Sequence, residues 1–209
     1  MSANDLAARG FEDGRAILGQ FSHTRLDISN WSDANVRRAH ESIDSLATII
    51  QRQIGFSNII SPLANIHPTA IIGSGVVIGA RSTIGPYSYL RRNVVIGEDV
   101  EIGYGVELDN VVLHNETRIM HQSCIGRSVV GSGCNLAYGF VVATHRLDRQ
   151  PIRVLQGDGS YFMSPARHHG AVIGAGVQAA VNVVLMPGTS VPPETLLYSG
   201  RQLFERSTS

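Results

Sequence analysis

The sequence predicts an all-β fold, a parallel β-helix of about six stacked coils made from six-residue repeats, with an N-terminal α-helical cap and one long inserted loop. Three observations predict it. An aliphatic residue returns at every sixth position from Ile66 onward. Twenty-two glycines stand against 6% aromatic residues in 209, so the interior is not built on large rings. One stretch ahead of the repeat carries helical periodicity instead. Short strands that bend at glycine corners and stack on the coil below reconcile all three.

Residues 1 to 30 carry no readable pattern. Residues 33–54 place Val36, Ala39, Ile43, Leu46 and Ile50 on one stripe, with Ser32 to cap the start and Gly55 to end it. This amphipathic helix is expected to plug the open end of the coil, because a solenoid needs its exposed terminal rung covered. The domain reading is a helical cap region over residues 1–60 and a β-helix domain over 61–209, with the loop at 145–170.

The first run of the repeat is Ile66, Ile72, Ile78, Ile84, Leu90, Ile96, Ile102 and Leu108. Four places after each comes a second small or branched residue, Ala70, Val76, Ser82, Ser88, Val94, Val100, Val106 and Val112. The phase slips by one to Leu113, Ile119 and Ile125, and again to Val130, Leu136 and Val142. It resumes after the loop at Ile173, Ala179, Leu185, Val191 and Leu197. The loop is polar and interrupted by proline and glycine, and a segment of that length held between ordered strands reads as functional.

Composition narrows the chemistry. Seventeen basic and seventeen acidic residues cancel, which gives no footprint for nucleic acid. Every basic residue is arginine, so Schiff-base, lysine-nucleophile and lysine phosphate-loop chemistry are out. No apolar run reaches the roughly 18 residues of a membrane span. The polar start MSANDLAARGFEDGR lacks the apolar segment of a secretory leader, and with two cysteines, Cys124 and Cys134, the expectation is a cytoplasmic protein with free thiols. Cys124 reads as a core thiol rather than a nucleophile.

The run YLRRNVVIGEDVEIGYGVELDNVVL, followed by HQSCIGRSVVGSGCNLAYGFVVATHRLD, resembles the acetyltransferase half of the bifunctional glucosamine-1-phosphate acetyltransferase/N-acetylglucosamine-1-phosphate uridylyltransferases. That resemblance implies a left-handed coil, against the usual crossover rule. It also implies His121 as general base, Arg91 on an acceptor phosphate and Glu107 in the acceptor pocket. Other pocket positions depart from the family. Its phosphate-contacting lysine falls on Asp109, its tyrosine on Cys124 and its asparagine on Thr144, while Tyr138 and Phe140 replace small residues and suggest an apolar pocket. ATHRLD and the loop after it are similar to the maltose, galactoside and xenobiotic O-acetyltransferases, which implies a catalytic His145. Arg167, His168 and His169 close the loop as a basic cluster, with His168 and His169 candidate phosphate contacts. His23, His40, His67 and His114 have no supporting context and read as surface residues.

Together the resemblances imply an acyltransferase that uses acetyl-CoA or another acyl-CoA as cosubstrate and requires no metal. The acceptor they imply is an amine or hydroxyl of a small metabolite of the sugar or amino-sugar kind. The base sits at a subunit boundary of a homotrimer, and the choice between His121 and His145 stays open. The other readings are a non-catalytic binding scaffold, an enzyme with a repurposed apolar pocket, and a zinc carbonic anhydrase using His114, His121 and His145.

Overall fold

The computed structural model describes residues 31–156, 159–164, 166–200 and 202–203. The first thirty residues of the cap region, His23 among them, lie outside the described residues. Helix α1, Asp33–Ile54, has the limits its sequence sets: the Ser32 side chain accepts from the Asn35 N–H, and Gly55 ends it with φ 64°. Glycine suits that position because only it enters the left-handed region without strain.

The rest is a three-walled prism of parallel strands. The second wall stacks β2 (Asn65–Ile66), β4 (Thr83–Ile84), β6 (Glu101–Ile102), β8 (Arg118–Ile119), β10 (Asn135–Leu136), β15 (Gln178–Ala179) and β18 (Leu196–Leu197). The third wall uses the first halves of β3 (Ile71–Ile78), β5 (Tyr89–Ile96), β7 (Glu107–Leu113) and β9 (Cys124–Val130), then β11 (Val141–Val142), β16 (Val184–Leu185) and β19 (Gln202–Leu203). Those longer strands bend round a corner, and their second halves join β1 (Ile59–Ile60), β14 (Val172–Ile173) and β17 (Ser190–Val191) as the first wall. The second wall has seven strands among the described residues, one level more than the repeat suggests. Ile59–Ile60 and Gln202–Leu203 add a strand at each end, in phase with Ile66 and Leu197.

The inward aliphatics form one continuous core from Val76 to Leu197, with Phe140 its largest fully buried side chain. Buried serines fit inside because each is satisfied by the next coil. Ser82 Oγ donates to the Gly97 carbonyl (2.8 Å) and accepts from the Val100 N–H (3.0 Å). Glycine at Gly79 is required by the neighbouring coil, since a Cβ there would lie 2.3 Å from the Gly97 carbonyl oxygen. Both one-residue slips fall at the corner between the third and first walls, where the β5–β7 register shifts between Leu90 and Val94. The first slip turns Val111 inward and Val112 outward, reversing the inward position that the sequence assigned to Val112.

Helix α1 does not plug the end of the prism. It lies along the first wall, where Ala39, Ile43, Leu46 and Ile50 cover an outward column of Val77, Val95, Val112, Val129 and Val172. The same wall therefore buries side chains on both faces. That makes it the apolar surface able to take the helix, whereas Asn65, Thr83, Glu101, Arg118 and Gln178 leave the second wall polar outside. The loop is also ordered differently from a simple excursion. Strands β12 (Arg153–Leu155) and β13 (Tyr161–Met163) pair antiparallel within it, and the Arg37 guanidinium of α1 lies 5.0 Å from the Phe162 ring centroid.

Candidate functional site

The sequence-selected residues gather on the third wall and its two edges. Outward from this wall point Ile71, Tyr89, Glu107, Cys124, Val141 and Val184 in one column, with Ile71 and Tyr89 exposed. Cys124 is exposed, so it is a wall-surface thiol; the core thiol is Cys134. Partial burial, and then Glu107, raise the Cys124 pKa, and burial pushes Cys134 up to about 11.

At the corner beyond Tyr89, Arg91 donates to Glu107 (3.2 Å) and Arg92 donates to Asp109 (3.1 Å). Asp109 first, and then Glu107, reinforce the Arg91 charge. These are exposed pairs that water screens, so they orient side chains more than they stabilise the fold. Glu98 and Asp99, further along the same coil, bind Arg81.

His121 stands at the opposite edge, where the second wall turns into the third. Its Nδ1 accepts the backbone N–H of Tyr104 at 2.9 Å. A Cβ on Gly103 would lie 2.6 Å from that nitrogen, so glycine at 103 admits the ring. With Nδ1 holding an N–H donor, the neutral ring carries its proton on Nε2. Tyr87, Tyr104 and Tyr138 are exposed along the same edge, and the Tyr138 hydroxyl donates to Gln122 Oε1. Phe140, two residues on, is fully buried in the prism core. It lines no surface, so the apolar pocket expected from Tyr138 and Phe140 does not form: the chain turns a corner at Gly139 (φ 71°), which leaves Tyr138 outside and Phe140 in the core.

His145 emerges where the third wall meets the loop, just after Thr144. It is exposed, and among the described residues its contact is with the His168 ring, edge to face with centroids 5.6 Å apart. No hydrogen bond within the described residues occupies either of its nitrogens. The ends of the loop are tied together there, the His169 N–H donating to the Thr144 carbonyl at 2.7 Å. Immediately after His145 opens a cavity of about 320 Å³ lined by Arg146, Gln150, Pro151, Arg153 and Met163. Arg146 is held by both oxygens of Asp148 (2.9 and 2.7 Å), which drops the Asp148 pKa to about 2.

His121 and His145 thus flank one wall from opposite edges: the register sets His121 beside Tyr138 of the next coil, seven positions before His145. They do not meet on one small acceptor within a single prism. His114 follows the first wall, so the three histidines of the zinc reading occupy three different corners, and no group of three metal-ligating side chains comes together among the described residues. No helix among them is long and apolar enough to cross a membrane.

Residues 80–199 match the family described as the GMPPB C-terminal domain. That is more than half of the 209 residues. The chain belongs to this family. It is 35% identical over 107 residues to the bifunctional protein GlmU of Methanococcus vannielii, a match covering 51% of this chain and 25% of that protein. It is 31% identical over 117 residues to the uncharacterized acetyltransferase YaiX of Escherichia coli O6:K15:H31, covering 56% of this chain and 50% of that one. The chain therefore spans about a quarter to a half of the curated relatives it matches. Among solved structures, the acetyltransferase domain of PglB from Neisseria gonorrhoeae FA1090 aligns at 18% identity and a TM-score of 0.43, over 74% of this chain and 64% of that one.

Sequence reasoning missed one buried cluster. His40, read as a surface residue, and His169, placed in the basic cluster that closes the loop, are both fully buried, with His40 Nδ1 2.7 Å from His169 Nε2. The signal for His40 was its place beside Ala39 on the apolar stripe of α1. Nothing in the sequence points to a partner 129 positions away.

Proposed function

We propose that the chain is an acyltransferase, moving an acyl group, most simply acetyl, from coenzyme A to an amine or hydroxyl of a small sugar-type metabolite, with His145 as the general base. One observation carries the choice of base: among the described residues no hydrogen bond occupies either ring nitrogen of His145, which directly precedes Arg146 of the cavity lining, whereas the Nδ1 lone pair of His121 is held by the Tyr104 N–H. In this reading a nitrogen of His145 takes the acceptor proton while the acceptor atom attacks the thioester carbonyl. The tetrahedral intermediate collapses, the C–S bond breaks, and the proton returns from His145 to the departing thiolate. His121, protonated on Nε2, serves as a hydrogen-bond donor along the same wall.

The cavity supports an acceptor of limited size, since about 320 Å³ lies at the small end of ligand pockets. Arg146 and Arg153 make its lining basic, with the Arg146 charge already met by Asp148. The outward column of the third wall, with Ile71 and Tyr89 exposed, supports a homotrimer in which a neighbouring prism covers it and completes the cleft, and we place this assembly in the cytoplasm.

The test is release of free thiol from acetyl-CoA in the presence of amino-sugar and sugar-phosphate acceptors. His145→Ala is expected to lower kcat by about 10²–10⁴, and His121→Ala by far less. The reverse order, or turnover unaffected by either, overturns the assignment. A binding scaffold is the second reading, favoured by the internal pairing of Arg91 with Glu107 and Arg92 with Asp109, which satisfies the arginines expected to hold an acceptor. Calorimetry showing no uptake of coenzyme A would select it.

A further inference from the structure

Four of the six tyrosines, Tyr87, Tyr104, Tyr138 and Tyr198, stand exposed at one corner of the prism, where the second wall turns into the third. The backbone sets them there rung by rung. The Gly105 N–H donates to the Pro86 carbonyl, Gln122 to Tyr104, Gly139 to His121 and Asn182 to Tyr138, so Pro86, Tyr104, His121, Tyr138 and Val181 hold the same place on five successive coils. Neighbours in such a column are about 4.8 Å apart. Tyr87 follows Pro86 on the lowest of these coils, and Tyr198 stands one coil above Val181, just after the Leu197 that pairs with Ala179. Five steps separate those two tyrosines, about 24 Å along the corner.

The rings do not serve the core, which is built of aliphatics inside the prism. Nor do they cover one another. Tyr87 and Tyr104 meet edge to face with centroids 5.7 Å apart, and among the described residues no ring contact joins Tyr104 to His121 or His121 to Tyr138. Ring faces, the negative side of the aromatic quadrupole, stay available to a ligand. Polar donors alternate with them. His121 Nδ1 accepts the Tyr104 N–H at 2.9 Å, so its neutral ring presents Nε2–H. The Tyr138 hydroxyl donates to Gln122 Oε1, and the Gln122 amide N–H groups have no partner among the described residues. A continuous exposed patch of this kind marks a site of interaction.

Charge narrows the occupant. The strip holds no arginine, aspartate or glutamate, and the charges flanking it are paired: Glu101 with Arg118 at 3.6 Å on the second wall, Glu107 with Arg91 at 3.2 Å on the third. A nucleic-acid strand would stack bases on such rings, but it needs cations along its backbone, and the strip offers none. Linked sugars fit: their rings carry slightly positive C–H groups on the faces and hydroxyls at the edges. A straight column of constant pitch suits an extended β-linked ribbon better than a coiled α-linked chain.

We propose that this corner is a binding strip for an uncharged, extended β-linked oligosaccharide, whose rings lie on Tyr87, Tyr104 and Tyr138 while His121 and Gln122 donate to its hydroxyls. The strip and the cavity beyond His145 lie at opposite edges of the third wall, so the assignment does not depend on the acyl-transfer reading.

The experiment is saturation-transfer NMR and calorimetry of the full chain with cellotetraose, beside glucose, the α-linked maltotetraose and a single-stranded oligothymidylate. Irradiating the aromatic protons is expected to saturate the C–H protons of cellotetraose, which should bind at least about tenfold more tightly than glucose because successive rings engage together. Tyr104→Ala and Tyr138→Ala are each expected to weaken binding by about two- to tenfold, with the denaturation midpoint unchanged, and Tyr104→Phe to retain it. Absence of transfer to cellotetraose, undiminished affinity in the double variant Tyr104→Ala/Tyr138→Ala, or equal affinity for maltotetraose or the oligonucleotide overturns the proposal. So does a double variant that sediments as a smaller particle than the wild type, which would make the corner a contact between copies. If cellotetraose binds as expected while no thiol is released from acetyl-CoA, it is the acyl-transfer reading that fails and not the strip.

Discussion

The first and third walls share four strands that run through both, yet their outward faces differ in kind. Val77, Val95, Val112, Val129 and Val172 form an unbroken apolar column under α1, and the corresponding column of the third wall mixes Ile71 and Tyr89 with Glu107, Cys124 and Val141. Inside the prism the walls are interchangeable, each contributing aliphatics to one core. The difference teaches that in this architecture the inward register makes the fold, while the outward register decides what each wall does. One wall is committed to the protein's own helix; another is left open beside two histidines.

The sharpest way to break this comparison is to make one change on both walls. Val112→Arg places an unpaired charge under α1, and a loss of about 4 kcal/mol or more, comparable to the whole stability of a small domain, is expected. Chemical denaturation or loss of the folded circular-dichroism signal reads it. On the helix side of the same contact, Leu46→Ala is expected to cost about 2–5 kcal/mol, again by denaturation. The matching Val141→Arg on the third wall should leave the thermal midpoint of the chain nearly unchanged and instead shift sedimentation from trimer to monomer. Retention of the trimer would show that the third wall is not the assembly surface. The thiols give a smaller contrast. With Cys134 buried and pushed up to about 11, iodoacetamide at pH 8 should modify Cys124 first, and the opposite order would put the outward side of β9 in the core. The smallest effect belongs to Arg81→Ala, which removes contacts to Glu98 and Asp99 at 3.0 and 2.7 Å but only at a solvated edge, and should not move the melting temperature measurably.

Much of the prism was legible because its period is written in single residues. The inward aliphatics from Ile66 to Leu197 and the limits of α1 were readable one position at a time, and the two slips at Leu108 and Ile125 coincide with the shortened corners. The docking of α1 was also written there, in the doubled pairs Val77–Ile78, Val95–Ile96, Val112–Leu113, Val129–Val130 and Val172–Ile173. The second wall carries Thr83–Ile84, Glu101–Ile102 and Arg118–Ile119 at equivalent places, and the third interrupts its aliphatic pairs with Glu107–Leu108 and Cys124–Ile125. Asking what precedes each inward residue, as well as which residues point in, would have found the covered wall. The site was less legible, since its distinctions are made by hydrogen bonds. Which nitrogen of His121 is occupied depends on the Tyr104 N–H one coil away, and the pairing of His40 with His169 depends on how the helix lies. Neither leaves a period to follow.

Helix α1 reaches from Ile59 on the first level to Ser190 on the last strand of its wall. Its 22 residues span about 33 Å at 1.5 Å each, close to the roughly 29 Å between the outermost of seven strands set about 4.8 Å apart. The helix is therefore a gauge for the solenoid. Repeat proteins ordinarily gain or lose modules freely, but here inserting or excising one rung would leave the strap about three residues short or long, so the number of turns and the length of the segment before them can drift only in concert.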